Sequence, residues 1–339
     1  MPENKLSKLK MNLLAVLFGI GVAVFLLVVL EIGARVIPTK GETEDHYAND
    51  YYKTDKNGIP WASPGTYRCW QKDKATGRMV YDVEFTHDEY GRRVTPVKNP
   101  DGRDTFFALI GCSFGYGAGV KQDQTLTAAI GELTEKTMPY NYSFLGWGPY
   151  DFLAVLEHLS ASQIKEKNGT MVYLYIDGHI ERMLGSMSAL RWKKGGVYYE
   201  RTPDGKFVRN GTFETGRWFI TKFYRLLGKS VLLERFDIDF PPPYTPDHFR
   251  LFAEVIAAMR DEFLKKYPQG KFYVAIYPQI KTGDKIKPAL DKSGVAYLDY
   301  TNLLGPSAPK WDLDEDNHHP SALAYHTLAE ALVRDLKLK

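Results

Sequence analysis

Two short motifs in the sequence carry residues that could act together in nucleophilic catalysis. The first is a serine in a glycine-rich turn, Gly111-Cys-Ser-Phe-Gly-Tyr-Gly117. A turn of this kind can expose the Ser113 hydroxyl and direct backbone N–H groups at an oxyanion. The second is Asp316-Asn-His-His-Pro320, in which a carboxylate lies three residues before His319. A histidine oriented by a carboxylate can deprotonate a serine.

Each motif alone has an ordinary explanation. A serine among glycines is most often a turn residue, an acidic loop is usually solvated, and the pair His318 and His319 also fits a metal site. Their positions relative to the predicted strands decide between these interpretations. Short apolar runs at 106–110, 141–144, 171–176, 272–277 and 295–298 predict strands. Helical patterns alternate with them at 124–136, from Pro149 onward, at 251–263 and at 321–336.

Strands alternating with helices predict an α/β fold with a parallel sheet of about five strands and helices on both faces. Ligands bind at the carboxyl ends of the strands in such sheets. Ser113 follows the first strand and His319 precedes the last helix, so both are expected at this edge. The loop containing Gly146 follows the second strand and is expected there too.

The combination resembles the GDSL/SGNH family of serine esterases and acyltransferases, from Thr105 to the C-terminus. In that family the first block is Gly-Asp-Ser, the second contributes a Gly and the last reads Asp-x-x-His-Pro. The resemblance implies that Ser113 is the nucleophile, His319 the general base and Asp316 its orienting carboxylate. It further implies oxyanion donors at the backbone N–H groups of Ser113 and Gly146, and neither a cofactor nor a metal.

The sequence departs from the family pattern at two places. Cys112 replaces the Asp that precedes the serine, and the third block, Asp177-Gly-His-Ile-Glu-Arg182, lacks the family's Asn. That Asn amide would donate to the oxyanion, and one such donor is worth about a hundredfold or more in rate. His179 or Arg182 could replace it. We expect His179, because an imidazole N–H after this strand would point at the pocket.

The N-terminus predicts a membrane anchor. Every residue from Leu13 to Leu30 is apolar or Gly. At about 1.5 Å per residue this run and its flanks nearly cross a hydrocarbon core of ~30 Å. Lysines precede the run and acidic residues dominate after it, which places the N-terminus in the cytoplasm and the remainder in the periplasm. An uncleaved signal-anchor in the inner membrane is favoured over a cleaved signal peptide, because no small-residue cleavage site ends the run.

The predicted organisation is a cytoplasmic tail (1–11), a single transmembrane helix (12–37), a stalk with a small β region (38–104) and the SGNH-like domain (105–339). The anchor is expected to be only a tether. An insertion at about 185–245 contains a predicted β-hairpin with Asp204-Gly205 in its turn. This insertion either shapes a substrate pocket or decorates the surface.

Composition excludes other classes of protein. A formal net charge of +3, with scattered Lys and Arg, argues against nucleic acid binding. The two cysteines, Cys69 and Cys112, are too few for a disulfide scaffold or a cysteine-ligated zinc site. We therefore predict a membrane-anchored periplasmic esterase or O-acyltransferase acting on acyl esters, with acetylated envelope or secreted polysaccharide as its substrate. The alternative is a non-catalytic domain of the same fold in an envelope or polysaccharide-secretion assembly.

Overall fold

The computed structural model describes residues 3–37, 43–48, 50–54, 59–193, 195–306, 308–314 and 317–339. Over these residues the strands are β1 Thr43–His46, β2 Tyr52–Thr54, β3 Pro60–Ala62, β4 Gly65–Asp73, β5 Met79–His87, β6 Thr105–Ile110, β7 Thr137–Asn141, β8 Asn168–Tyr175, β9 Val197–Arg201, β10 Phe207–Thr212, β11 Lys271–Ile276, β12 Tyr297–Asp299, β13 Asp312–Asp314 and β14 Asn317–Pro320. The helices are α1 Glu3–Val36, α2 Ser113–Tyr116, α3 Leu126–Leu133, α4 Pro149–His158, α5 Gly178–Leu184, α6 Met187–Trp192, α7 Phe213–Gly216, α8 Trp218–Leu227, α9 Val231–Arg235, α10 Pro246–Lys266, α11 Gly283–Lys292 and α12 Ala322–Leu336.

The central sheet is parallel and has five strands in the order β7-β6-β8-β11-β12. Numbered along the chain, this is the 2-1-3-4-5 order of flavodoxin-like folds. Side chains of β8 alternate between two buried clusters. Tyr173 packs in the cluster that includes α4 and α10, whereas Val172 and Leu174 pack with α3 and α12. The predicted α/β sheet with helices on both faces is therefore confirmed.

The second strand begins earlier than the sequence predicts. It covers Thr137–Asn141 rather than 141–144, and it lies at an edge of the sheet. Pro139 hid this strand, because proline interrupts the usual strand pattern and is tolerated mainly at edges. The predicted segment still follows β6: the Tyr142 N–H donates to the Leu109 carbonyl at 2.8 Å, and Phe144 N–H to Gly111 at 3.0 Å.

A small antiparallel sheet, β1-β4-β5, lies against the main sheet. It includes the predicted strand at 79–85 within β5. The two parts are joined by a β-bridge between Arg93 and Asn141 and by a buried contact of 2.7 Å between the hydroxyl groups of Tyr51 and Tyr116. The segment before Thr105 therefore helps to support the turn that follows β6.

The insertion contains the predicted hairpin, formed by β9 and β10, followed by α7, α8 and α9. Helix α1 is exposed over most of its length, and residues Lys8–Val36 are long and apolar enough to cross a membrane. Its last turns contact the segment between α8 and α9, so α1 is more than the free tether that the sequence suggests. Cys69 and Cys112 are both buried and free.

Candidate active site

Ser113 and His319 meet at the carboxyl edge of the sheet. Ser113 opens α2 directly after β6, and His319 lies in β14, just before α12. The Ser113 Oγ is 2.8 Å from Nε2 of His319. The site therefore lies beside the point between the first and third strands where the strand order reverses, which is the expected ligand position in this topology. The sequence-based expectation that these two residues converge agrees with this geometry.

The imidazole of His319 is suited to act as a base. Burial lowers its pKa to about 4, and the positive charge of Arg182 adds to this effect. A neutral imidazole at pH 7 has a lone pair available on Nε2 to accept the Ser113 proton. The ring of Phe114 lies against it, with ring centroids 5.1 Å apart. The site therefore keeps its base unprotonated over the neutral pH range.

Asn317 occupies the position in which an orienting group is expected. Its Oδ1 is 2.6 Å from Nδ1 of His319 and also accepts the His319 backbone N–H at 3.0 Å. The Asn317 amide nitrogen donates to Gln71 at 2.5 Å, which is consistent with this amide orientation. Because an amide oxygen only accepts, it places the proton on Nδ1 and the lone pair on Nε2. The sequence motif favoured Asp316 for this role, and Asp316 lies outside the described residues.

His318 points away from this site. It is exposed, and its Nδ1 lies 3.1 Å from a carboxylate oxygen of Asp312. The two adjacent histidines thus face different surroundings. In the described part of the chain, no group of three or more His, Cys, Asp or Glu side chains is placed to hold a metal ion.

Buried polar side chains fix the turn that carries Ser113. The Arg93 guanidinium is fully buried and donates to the backbone carbonyls of Tyr116, Gly117 and Val120. Asn141 donates to the Gly115 carbonyl at 3.0 Å. A Cβ on Gly115 would lie 2.5 Å from the Ser143 hydroxyl, so only glycine fits there. The turn is therefore held rigidly, as a nucleophile requires.

Gly146 lies in a loop that is tied to the same turn. The loop is connected through the Phe144–Gly111 hydrogen bond, and Gly146 has a left-handed φ of 72°. Among the described residues, no hydrogen bond to another protein group occupies the backbone N–H of Ser113 or Gly146. Both groups are free to donate to a ligand, and their assignment to the oxyanion hole stays a prediction.

The third block is arranged differently from the sequence-based expectation. The carboxylate of Asp177 accepts the backbone N–H groups of Lys281 and Thr282, at 2.8 and 3.1 Å. His179 is fully buried, and its Nδ1 is 2.7 Å from the Tyr173 hydroxyl. Burial holds its pKa well below the usual value. These surroundings are those of a core histidine, and an oxyanion role for His179 stays a prediction.

Arg182 extends from α5 toward the edge where Ser113 and His319 lie. Its guanidinium donates to the Trp147 carbonyl at 3.1 Å, in the loop that contains Gly146. Its charge contributes to the lowered pKa of His319. Arg182 is only partly buried, unlike His179. Of the two donors that the sequence offered in place of the missing Asn, Arg182 has the contacts that a pocket residue needs.

Trp192 forms part of the same surface. Its side chain is 54% exposed, and the Arg182 guanidinium lies 5.3 Å from its ring centroid. A Cβ on Gly146 would be only 3.0 Å from the indole ring. The next residue, Lys193, forms a buried ion pair with Asp151 at the start of α4. The insertion therefore contacts the loop that contains Gly146, and its role in shaping a substrate pocket stays a prediction.

Sequence reasoning did not find Asn317, Arg93 or Trp192 as parts of the site. Asn317 is adjacent to the predicted histidines and could have been considered as an acceptor. Arg93 and Trp192 are distant in sequence and carry no motif. A cavity of about 680 Å³ opens at the opposite edge of the sheet, near Asp104 and Asn168, and none of the predicted site residues lines it.

Comparison with known proteins gives similarities in structure alone. No family model matches the chain, and no curated protein matches it. Its fold is similar to that of GDSL-family lipolytic proteins and carbohydrate esterases. One similar solved structure is that of a G-D-S-L family lipolytic protein from Desulfitobacterium hafniense, which is 12% identical in sequence and has a TM-score of 0.39. The similarity covers 68% of this chain and 98% of the lipolytic protein.

Two esterases are similar at the same level. An acetyl xylan esterase from Butyrivibrio proteoclasticus is 9% identical with a TM-score of 0.41, covering 80% of this chain and 69% of its own. A family two carbohydrate esterase from Clostridium thermocellum, solved with cellohexaose, is 7% identical with a TM-score of 0.40, covering 87% and 99%. At such scores the chemistry of this chain has to be inferred from its own residues.

Proposed function

We propose that this protein is a serine esterase or O-acyltransferase, and the Ser113–His319 contact of 2.8 Å is the observation that carries the proposal. The Ser113 Oγ attacks the acyl carbonyl carbon while its proton passes to Nε2 of His319. The leaving alkoxide then takes that proton and departs as an alcohol. Water or a second hydroxyl attacks the acyl-serine, with His319 again accepting the proton. The bond between the acyl carbon and Ser113 Oγ then breaks, and His319 returns the proton to Oγ.

We assign the remaining roles from the surroundings of these two residues. Asn317 orients His319 through Nδ1, with Asp316 as the alternative orienting group. The N–H groups of Ser113 and Gly146 and the guanidinium of Arg182 stabilise the oxyanion. No step in this sequence requires a cofactor or a metal. The exposed ring of Trp192 beside the site supports a carbohydrate ester, because indole rings stack on sugar faces.

The proposed substrate is an acyl ester, with acetyl as the acyl group, on an envelope or secreted polysaccharide. We propose that α1 anchors the chain in the inner membrane with its N-terminus in the cytoplasm and the catalytic domain in the periplasm. The length and apolar composition of α1 support the anchoring, and the lysines before its apolar run support the orientation. Protease added to spheroplasts should digest the domain, whereas a domain protected until lysis would place it in the cytoplasm.

Labelling with a fluorophosphonate probe tests the catalytic proposal directly. The solubilised full-length chain should be labelled at Ser113, as mapped by mass spectrometry, and should turn over p-nitrophenyl acetate. Ser113→Ala should lose both properties, whereas Ser160→Ala, at an exposed serine elsewhere, should keep them. A folded wild-type chain that neither labels nor turns over esters would favour the non-catalytic alternative.

A further inference from the structure

Helix α8 has its apolar side chains on the outside. Among the residues of this helix only Thr221 is buried, and its hydroxyl donates to the Phe213 carbonyl at 2.6 Å. The apolar residues around it are exposed by 45–67%: Trp218, Phe219, Ile220, Phe223 and Leu226. A surface helix of a soluble domain normally has the opposite arrangement. We call these five residues the apolar face.

The apolar face continues beyond α8. Phe236 and Ile238, which follow α9, are 70% and 41% exposed. Exposed basic side chains accompany it, and the Lys222 ammonium group lies 5.3 Å from the ring centroid of Trp218. Aromatic and aliphatic side chains on one face with lysines beside them are typical of a helix that lies in the interface of a membrane. Patches of this kind mark interaction surfaces.

Helix α1 fixes where this surface lies. The Glu31 carboxylate accepts the Ser230 hydroxyl at 2.7 Å and the backbone N–H of Val231 at 2.9 Å, at the start of α9. Arg35 donates to the Lys229 carbonyl at 2.8 Å. Glu31 follows directly on the uncharged apolar run of α1, so it marks the end of that run. The residues that follow α8 therefore contact α1 just after the apolar run ends.

We infer that the apolar face of α8 inserts into the outer leaflet of the bilayer that α1 crosses, at the boundary between headgroups and acyl chains. This inference rests on the proposed anchoring by α1. The insertion that carries α8 also carries Trp192, and Arg225 of α8 donates to the Lys193 carbonyl at 3.3 Å. When α8 lies in the bilayer, it holds the pocket at a fixed height and orientation above the membrane. Without this contact the catalytic domain would move freely on the α1 anchor.

Site-specific fluorescence in nanodiscs tests the inference with the full-length chain. An environment-sensitive thiol probe is placed in separate variants at Phe223→Cys on α8, Phe18→Cys on α1 and Leu323→Cys on α12. All three positions are exposed, and the native cysteines are buried. Discs contain phosphatidylethanolamine and phosphatidylglycerol, with or without spin-labelled lipid as a quencher. Circular dichroism checks that each variant is folded.

The expected result is that lipid quenches the probes at Phe223 and Phe18 several-fold more than the probe at Leu323. A quenched Phe18 probe with an unquenched Phe223 probe would leave the anchor standing and overturn the interfacial role of α8. An unquenched Phe18 probe would overturn the anchoring itself. A Phe223 probe shielded from aqueous iodide but not quenched by lipid would assign the apolar face to a protein partner or a second copy, again against the inference.

Discussion

The Oδ1 of Asn317 lies 2.6 Å from the Nδ1 of His319, so a neutral amide occupies the position where the sequence motif suggested a carboxylate. The contact sets the imidazole tautomer without adding negative charge beside it. An amide at this position orients the imidazole and stabilises its imidazolium form less than a carboxylate would. The low pKa of His319, caused mainly by burial, is consistent with such surroundings.

We expect Asn317→Ala to lower kcat/KM for p-nitrophenyl acetate by roughly 100-fold or more, because the imidazole loses its fixed tautomer. Asp316→Asn tests the alternative orienting group and should change kcat/KM by less than about 3-fold if Asn317 alone orients His319, because the Asn317–His319 contact is kept. Steady-state kinetics on both variants decide the matter. The reverse pattern would return the orienting role to Asp316.

The pH dependence of kcat/KM should report the pKa of His319, the proposed general base. Because the pKa of His319 is lowered to about 4, activity should hold from neutral pH down to about 5 and fall as the pH drops through 4. Asn317→Asp should move this limb upward, because a carboxylate stabilises the imidazolium form. An acidic limb near 6.5 in the wild type would show that His319 is not held neutral as described.

The losses of activity caused by removing the nucleophile and by removing the base should not be additive. Ser113→Ala and His319→Ala each disable the same proton transfer, so the double variant should be no slower than either single variant. His318→Ala is the neighbouring control and should retain most activity, because its side chain is exposed and faces Asp312. Additive losses in the double variant would contradict a coupled pair.

Arg182→Gln should lower kcat by roughly 100-fold if its guanidinium stabilises the oxyanion. Removing this positive charge should also shift the acidic limb of the pH profile upward, because Arg182 helps to lower the pKa of His319. His179→Asn tests the other donor; as a core substitution it should reduce thermal stability more than kcat. A large loss of kcat in His179→Asn, with Arg182→Gln unaffected, would restore the assignment made from sequence.

Trp192→Ala should separate carbohydrate binding from chemistry. Loss of ring stacking should raise KM for an acetylated oligosaccharide by roughly 3- to 10-fold. Turnover of p-nitrophenyl acetate should be nearly unchanged, because the small ester does not need this contact. Trp218→Ala removes an exposed indole of the same insertion, on α8, and serves as the control. Equal effects on both substrates would point to a structural role for Trp192.

The sequence by itself determined the α/β sheet and the serine–histidine pair. Alternating apolar runs and helical patterns are local properties, and parallel strands bring their carboxyl ends together whatever their detailed packing. Ser113 and His319 could therefore be placed at one edge without coordinates. The apolar run of α1 was readable for the same reason, since length and hydropathy are properties of a continuous segment. The sequence misplaced β7, because Pro139 interrupts the usual strand pattern.

Tertiary structure decided what surrounds the pair, because those contacts join residues distant along the chain. Arg93 reaches the nucleophile turn from the small β region, and Trp192 reaches Gly146 from the insertion. Which of His179 and Arg182 lies in the core depends on how α5 packs, and residues so close in sequence give no such signal. The outward apolar face of α8 likewise became visible only once Thr221 was found buried and Glu31 was found at the start of α9.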